Sequence, residues 1–449
     1  MATTAPPNLD RRLALAALSR ILDKNRHLED ALAEAEAEIS PGSDGGGPAG
    51  RDRDSRDTES RDRSFAHNLV ATCLRRMGQI DALIDGLLDR PMPARARAAR
   101  HILRLGVAQL LFLQTPAHAV VDTAVRLAAA TGQGPYKKLI NAVLRRAAAE
   151  GAAAVGEQDA ARVNTPGWLW DSWEAAYGAD RARAIAEAHL RLPPTDLSVK
   201  SDADAWAGKL GGRVLPSGSV RLPGSVRPAV LAGFAEGAWW VQDTAASLPA
   251  RLLGEARGRR IADLCAAPGG KTAQLALAGA EVIAVDRSEK RLARLSDNLR
   301  RLNLGAETVC ADAGQWRPDQ ALDAVLLDAP CSATGSIRRH PDIQRTRRPE
   351  EVARAAEIQA RLLAHAADLV RPGGTVIFAT CSLQPEEGSE IIADLLSSDN
   401  RLRLSPIDAD EIGGLAEAIT SAGELRSLPS HLAELGGMDG FYAARLIRN

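Results

Sequence analysis

The chain has 449 residues, more than one hydrophobic core usually serves, so at roughly 150 residues per domain about three units are expected. Hydrophobic residues make up 45% and aromatic residues 3%, a balance rich in Ala, Leu and Arg that favours helices. No stretch approaches the ~18 apolar residues of a membrane helix, and Met1 to Asp10 lacks a secretory pattern, so a cytoplasmic protein is expected. The net charge of -1 averages over opposed regions: residues 64–150 hold 12 Lys/Arg against 5 Asp/Glu, and residues 383–440 hold 3 against 12. That asymmetry leaves room for a basic, nucleic-acid-facing surface on a neutral protein. Cys73, Cys265, Cys310, Cys331 and Cys381 are odd in number, widely spread and never spaced CxxC. This pattern argues against a disulfide framework and a zinc site, so reduced thiols and no metal are expected.

Taken in chain order, Leu13, Leu15, Leu18, Ile21 and Leu22 recur near helical spacing, and an Ala/Glu-rich helix follows to about Ile39. Residues 41–63 hold a Gly/Pro-rich run and an Arg/Asp alternation with Ala49 as the sole apolar member. Such a segment is too polar to offset its ordering entropy, so a disordered surface insertion is expected. Helical periodicity returns from Phe65 to Arg146, broken at Pro91-Met-Pro93, Thr115-Pro116 and Thr131-Gly132, which makes residues 1–150 an all-α bundle. Leu103-Arg-Leu-Gly-Val-Ala-Gln-Leu-Leu-Phe-Leu, Pro116-Ala-His-Ala-Val-Val and Lys138-Leu-Ile-Asn-Ala-Val-Leu-Arg-Arg resemble the NusB-like RNA-binding domain, and the resemblance implies RNA contact. Residues 151–194 read as a helical connector in which Trp168, Trp170 and Trp173 pack rather than stack on bases. In residues 195–257 short apolar runs, Leu197 to Val199 and Arg213 to Leu215, alternate with Gly/Pro/Ser turns, giving a small α/β subdomain. The run from Phe234 to Asp243 then leads into a helix.

Residues 258–449 alternate strand and helix. Ile261 to Cys265, Glu281 to Val285, Thr308 to Cys310, Asp323 to Leu327 and Thr375 to Thr380 read as buried strands, with helices after Gly270, Ser288 and Pro349. This is the pattern of a doubly wound, Rossmann-like α/β sheet with parallel strands. Phe441 to Ile447 should close it as an antiparallel strand.

The turn after the first of these strands is Asp263-Leu-Cys-Ala-Ala-Pro-Gly-Gly-Lys. Gly270-Lys271-Thr272 imitates the end of a phosphate-binding loop, but that motif requires glycine where Cys265 stands, so ATP and NAD are disfavoured. Pro268, Gly269 and Gly270 allow close approach of a ligand to backbone. Asp263, Asp286, Asp312 and Asp328 stand at successive strand ends. Any one could be a turn former; as a set they suit a ligand that presents hydroxyl and amine donors to acceptor-only carboxylates. The ladder points to S-adenosylmethionine, held by Cys265, Ala266, Ala267, Pro268, Gly269, Gly270, Lys271, Asp286, Asp312 and Asp328.

Cys331 and Cys381 each follow a buried strand, at the sheet edge where such folds keep their chemistry. Asp263-Leu-Cys-Ala-Ala-Pro-Gly-Gly-Lys, Asp328-Ala-Pro-Cys-Ser-Ala-Thr-Gly, Arg338-Arg-His-Pro-Asp and Ala379-Thr-Cys-Ser-Leu-Gln-Pro-Glu-Glu resemble the motif set of the Nol1/Nop2/Sun RNA cytosine-5 methyltransferases. With the NusB-like start, the resemblance narrows to the Sun/RsmB branch acting on 16S ribosomal RNA. It covers nearly the whole chain apart from the polar insertion. One departure is Phe378-Ala379 where the family often has Tyr-Ser. The resemblance implies attack on cytosine C6 by Cys381, product release by Cys331, and Asp328 holding the cytosine edge; the residues themselves leave the order of the two thiols open.

Cys73 and Cys310 read as core residues, and Cys265 as an unreactive part of the loop. His340 reads as structural. Arg338, Arg339, Arg345, Arg347 and Arg348 form a run opposed by Asp342 alone and are candidates for phosphate contact. A stacked cytosine offers neither C5 nor C6 from both sides, so a single-stranded or flipped base is expected, together with a monomeric enzyme that needs no membrane. The competing readings are a non-catalytic NusB-type RNA-binding module, a small-molecule methyltransferase, and a methyltransferase of a different RNA; the paired cysteine motifs argue against the first two.

Overall fold

The computed structural model describes residues 8–39, 53–224 and 226–449. They divide into two units, one running to Trp170 and including His340–Arg347, the other comprising Asp171–Arg339 and Arg348–Asn449. The division falls inside the segment expected to be a connector, within the helix Gly167–Tyr177.

The first unit is all helical: α1 (Leu9–Lys24), α2 (Leu28–Ile39), α3 (Arg53–Arg75), α4 (Met77–Leu87), α5 (Arg97–Leu111), α6 (Ala117–Ala130), α7 (Lys137–Gly156) and α8 (Ala160–Asn164). Leu13, Ala14, Ala17, Leu18 and Ile21 form the buried stripe of α1, the three-and-four spacing that places one helix face on a core. Small residues let the helices close up: a Cβ on Gly106 would lie 2.6 Å from a Leu144 methyl, and one on Gly78 would lie 1.7 Å from the Val163 carbonyl.

The polar segment 41–63 divides differently from the expectation. Residues 41–52 lie outside the described residues, but 53–63 are helical, forming the first turns of α3. Once a nucleus exists, charged residues propagate a helix readily; here the buried turns from Ala66 onward supply the nucleus, and Arg63 pairs with Glu36 of α2.

Residues 340–347 belong to this same unit. The Asp342 carboxylate accepts from the Leu28 backbone N–H at 3.3 Å, Gln344 Nε2 donates to the Leu74 carbonyl, and Arg345 Nη2 donates to the Asn164 carbonyl at 2.7 Å.

The second unit begins with buried Trp173, whose indole N–H donates to Gln384 Oε1 at 3.0 Å. A small antiparallel sheet follows, built from β1 (Thr195–Val199), β2 (Arg213–Val214), β3 (Val220–Leu222) and β4 (Trp239–Val241) in the order β2-β3-β1-β4. A buried bidentate pair pins it, Arg221 reaching both Asp196 oxygens at 2.7 Å.

The large sheet contains β5 (Arg260–Leu264), β6 (Glu281–Asp286), β7 (Glu307–Cys310), β8 (Leu322–Asp328), β9 (Val370–Thr380), β10 (Leu402–Leu404), β11 (Leu425–Ser427) and β12 (Phe441–Arg448). Its order is β10-β12-β9-β8-β5-β6-β7, with β11 on β12. Strands β5 to β9 pair in parallel, and β12 runs antiparallel beside β9. Ile261, Ala262, Val285, Val325, Leu327, Val376 and Phe378 are all buried, the two-sided burial of a sheet covered on both faces. The edge strand β7 is the exception: Cys310, expected in the core, is exposed because β7 has a neighbour on one side only.

Candidate active site

Chain order reverses at β5, with β6 and β7 on one side and β8 and β9 on the other. The crevice above the carboxyl ends of β5 and β8 is therefore a topological switch point, where open α/β sheets bind ligands. Strand β8 pairs with β9 so that Asp328 faces Ala379. Cys331 and Cys381 thus leave adjacent strand ends, and their Sγ atoms lie 3.3 Å apart. The two loops are also joined by backbone: Ala329 N–H donates to the Ala379 carbonyl at 2.9 Å and Gly335 N–H to the Cys381 carbonyl at 3.0 Å.

A third link was not legible as such in the sequence, where Glu387 stood only as the end of a quoted motif. Its carboxylate is fully buried. It accepts from the Ser332 N–H at 2.7 Å, the Ser332 hydroxyl, the Ser382 hydroxyl at 2.5 Å and Gln359 Nε2 at 3.1 Å. One side chain thereby ties together the residues that follow both cysteines. The hydrogen bond with Cys381, burial and the Glu387 charge all hold the Cys331 thiol well above its ordinary pKa.

A cavity of about 600 Å³ opens beside this pair. Ala266, Pro268, Gly269, Gly270, Lys271, Asp328 and Cys381 line it, as do Trp240, Phe441 and Arg339. Cys265, Ala267, Asp286, Asp312 and Cys331 are not among its lining residues. Lys271 Nζ donates to Asp328 Oδ2 at 2.8 Å and stands 4.8 Å from the Phe441 ring centroid, so the carboxylate is oriented by a cation over an aromatic wall.

The loop after β5 follows a path that most side chains disfavour: Cys265 has φ +62° and Gly269 φ +98°. A Cβ on Gly269 would meet Leu295 Cγ at 2.8 Å. Asp286 is buried, accepting from Ala267 N–H at 3.2 Å and Ser288 N–H at 3.0 Å, with Arg291 3.4 Å away. Asp312 lies two residues beyond β7 and accepts from Gly314 N–H at 2.8 Å. Asp263 is buried, with one oxygen on the Thr272 hydroxyl at 2.6 Å and the other without a partner among the described residues. Burial pushes its carboxyl up to about 7. Cys265 reports the field of the loop: burial, then Asp328, Asp286 and Asp263, push its thiol up to about 12. Asp286 and Asp328, with their cations Arg291 and Lys271, place acceptor-only carboxylates beside this loop, partners for the hydroxyl and amine donors of a nucleoside. The donor set therefore fits a sulfonium nucleoside such as S-adenosylmethionine.

The arginine run is corrected by the structure. Arg338 is buried, bound to Asp243 at 3.0 Å, Asp439 at 3.2 Å and the Gly436 carbonyl at 2.7 Å, so it brackets loops rather than binding phosphate. Arg345 is held in the helical unit by the Asn164 carbonyl, and burial pushes its pKa down to about 10. Arg339 pairs with Asp439 at 2.7 Å yet remains 37% exposed and lines the cavity.

Residues 250–447 match the family described as 16S rRNA methyltransferase RsmB/F, and residues 8–149 match the NusB family. The chain is 34% identical over 455 aligned positions to the ribosomal RNA small subunit methyltransferase B of Salmonella arizonae, covering 98% of each chain. The Klebsiella pneumoniae protein of the same name is likewise 34% identical, with 98% of each chain covered. Among solved structures, PH0851 superposes with a TM-score of 0.74 at 21% identity over 99% of this chain and 100% of that one. NSun6 from Pyrococcus horikoshii with SFG superposes with a TM-score of 0.54 at 19% identity, over 63% and 98%.

Proposed function

Since the chain belongs to the RsmB/F family of 16S rRNA methyltransferases, we propose that it methylates C5 of a cytosine in 16S ribosomal RNA through a transient bond between Cys381 and C6 of the base. The observation that carries this reading is the thiol pair, 3.3 Å apart, with Cys381 on the wall of a cavity shared with Asp328, Lys271 and the Gly269-Gly270 turn.

Cytosine C5 is a poor nucleophile. Addition of the Cys381 thiolate to C6 turns C5 into an enamine-like carbon and splits one hard step into easier ones. Asp328, an acceptor-only carboxylate oriented by Lys271, suits the exocyclic amine at the cytosine edge. A stacked cytosine offers neither C5 nor C6 from both sides, so the cytosine enters single-stranded or flipped. S-adenosylmethionine, when bound, supplies an electrophilic methyl group on sulfur. Cys265, Ala266, Ala267, Pro268, Gly269, Gly270, Lys271, Asp286, Asp312 and Asp328 are the residues proposed to hold it. Once C5 carries the methyl group, its proton passes to a base, the C6–S bond breaks, and the electron pair returns to Cys381 Sγ.

The test uses 16S transcript, labelled methyl donor and two variants. Cys331→Ala is expected to trap a protein-RNA complex that survives a denaturing gel, while Cys381→Ala neither methylates nor cross-links. The reverse pattern would exchange the two roles, and label outside cytosine C5 would overturn the reaction class.

A further inference from the structure

The two sulfurs are alike in kind but differently placed, Cys381 lining the cavity and Cys331 lying outside its lining. Glu387 takes two of its four neutral donors, the backbone N–H and the hydroxyl, from Ser332, the neighbour of Cys331, and one, the hydroxyl, from Ser382, the neighbour of Cys381; among the described residues it has no cation at ion-pair distance. A buried carboxylate satisfied by hydrogen bonds alone keeps a long-range negative field. Cys381 shares the cavity wall with the Arg339 guanidinium. Arg339 is itself paired with Asp439; of the other charged groups on that wall, Lys271 pairs with Asp328, Asp243 pairs with Arg338, and Arg301 donates to the Phe234 and Trp239 carbonyls.

We propose that Glu387 is a positioning residue that decides which sulfur is the nucleophile: it keeps the proton on Cys331, so that Cys331 donates its S–H to Cys381 Sγ and the negative charge of the pair resides on Cys381. This rests on the thiol-adduct reading above. Four causes act on Cys331 in the same direction, the bond with Cys381, burial, the Cys381 charge and the Glu387 charge, against the backbone N–H of Ala333. The arrangement also serves release. As the C6–S bond breaks, the electron pair returns to a sulfur that already accepts a hydrogen bond, and a stabilised thiolate leaves faster.

The experiment alkylates the full chain, free of RNA, with iodoacetamide between about pH 6 and about pH 10, and maps modification by peptide mass spectrometry. Cys381 should be modified at lower pH than Cys331. In Glu387→Gln, modification of Cys331 near pH 8 should rise by about tenfold, the change one pKa unit makes in thiolate fraction, while exposed Cys310 serves as the unchanged control. With RNA and cofactor, the same variant should lower kcat, leave KM in place and accumulate the covalent complex. Earlier modification of Cys331 than of Cys381 in the wild-type chain overturns the proposal, as does an unmoved Cys331 rate in folded Glu387→Gln. Should that variant fail to fold, the wild-type order alone decides. Absence of any adduct in Cys331→Ala would remove the catalytic reading while leaving the alkylation order standing, so the two failures are distinguishable.

Discussion

Asp263 shows how one residue of β5 carries a signature of its own. Its folded pKa of about 7 lies above the ordinary ~3.9, so between the two the folded chain binds the proton more tightly than the unfolded one. The stability it contributes is therefore full in acid, falls as pH rises from about 4 to about 7, and is then level. Asp263→Asn keeps the shape and removes the titration. Relative to wild type, the variant should gain up to ~1.4 kcal/mol per pH unit across that window, read from urea unfolding of the cofactor-free protein; parallel curves at acid and neutral pH would refute it. At this scale the sequence was partly legible. The cysteines, Asp328 and Lys271 could be found because each follows a strand end or a glycine turn. Glu387 and Arg338 could not, because their roles depend on partners far along the chain: Glu387 reaches back 55 positions to Ser332, and Arg338 forward 101 to Asp439. An arginine run looks the same in sequence whether carboxylates bury it or leave it to solvent.

Among the elements, the strands of the large sheet were the most legible, since runs such as Ala324 to Leu327 are buried on both faces and tolerate no polar residue. The failures lie where periodicity carries no information. Cys310 was misplaced because a short apolar run does not tell an edge strand from a central one, and the first turns of α3 were missed because their residues are polar. What holds the thiol loops against the closing strand is a backbone contact that no side-chain pattern reveals. Gly440 N–H donates to the Gly335 carbonyl at 2.8 Å, and a Cβ on Gly335 would lie 1.9 Å from the Gly440 carbonyl oxygen. Backbone cannot yield as a flexible side chain does, so Gly335→Ala is expected to cost about 1–3 kcal/mol and to lower methylation by displacing the Cys331 loop. A variant with unchanged melting temperature and turnover would show that the loops move independently of β12.

Across the whole molecule, the near-zero net charge conceals a separation of sign that bears on the RNA. Lys137 and Lys138 open α7, are exposed, and have no acidic partner among the described residues. Cations at a helix N-terminus oppose the macrodipole, a local cost that makes sense if they face phosphates. Replacing both by Gln should weaken binding of 16S transcript and flatten the slope of log affinity against log salt by about 1.4, two contacts at ~0.7 each; fluorescence anisotropy over a salt series reads it, and an unchanged slope would place the contact elsewhere. The assignment of residues 340–347 to the helical unit has a consequence in time. Leu28, Leu74 and Asn164 each receive a hydrogen-bonding partner from that short stretch, so on a translating ribosome the first unit cannot complete its packing until nearly four-fifths of the polypeptide has been made. A nascent chain halted before position 340 should hold its early helices in a looser, protease-sensitive state, and the tightening should arrive late and abruptly.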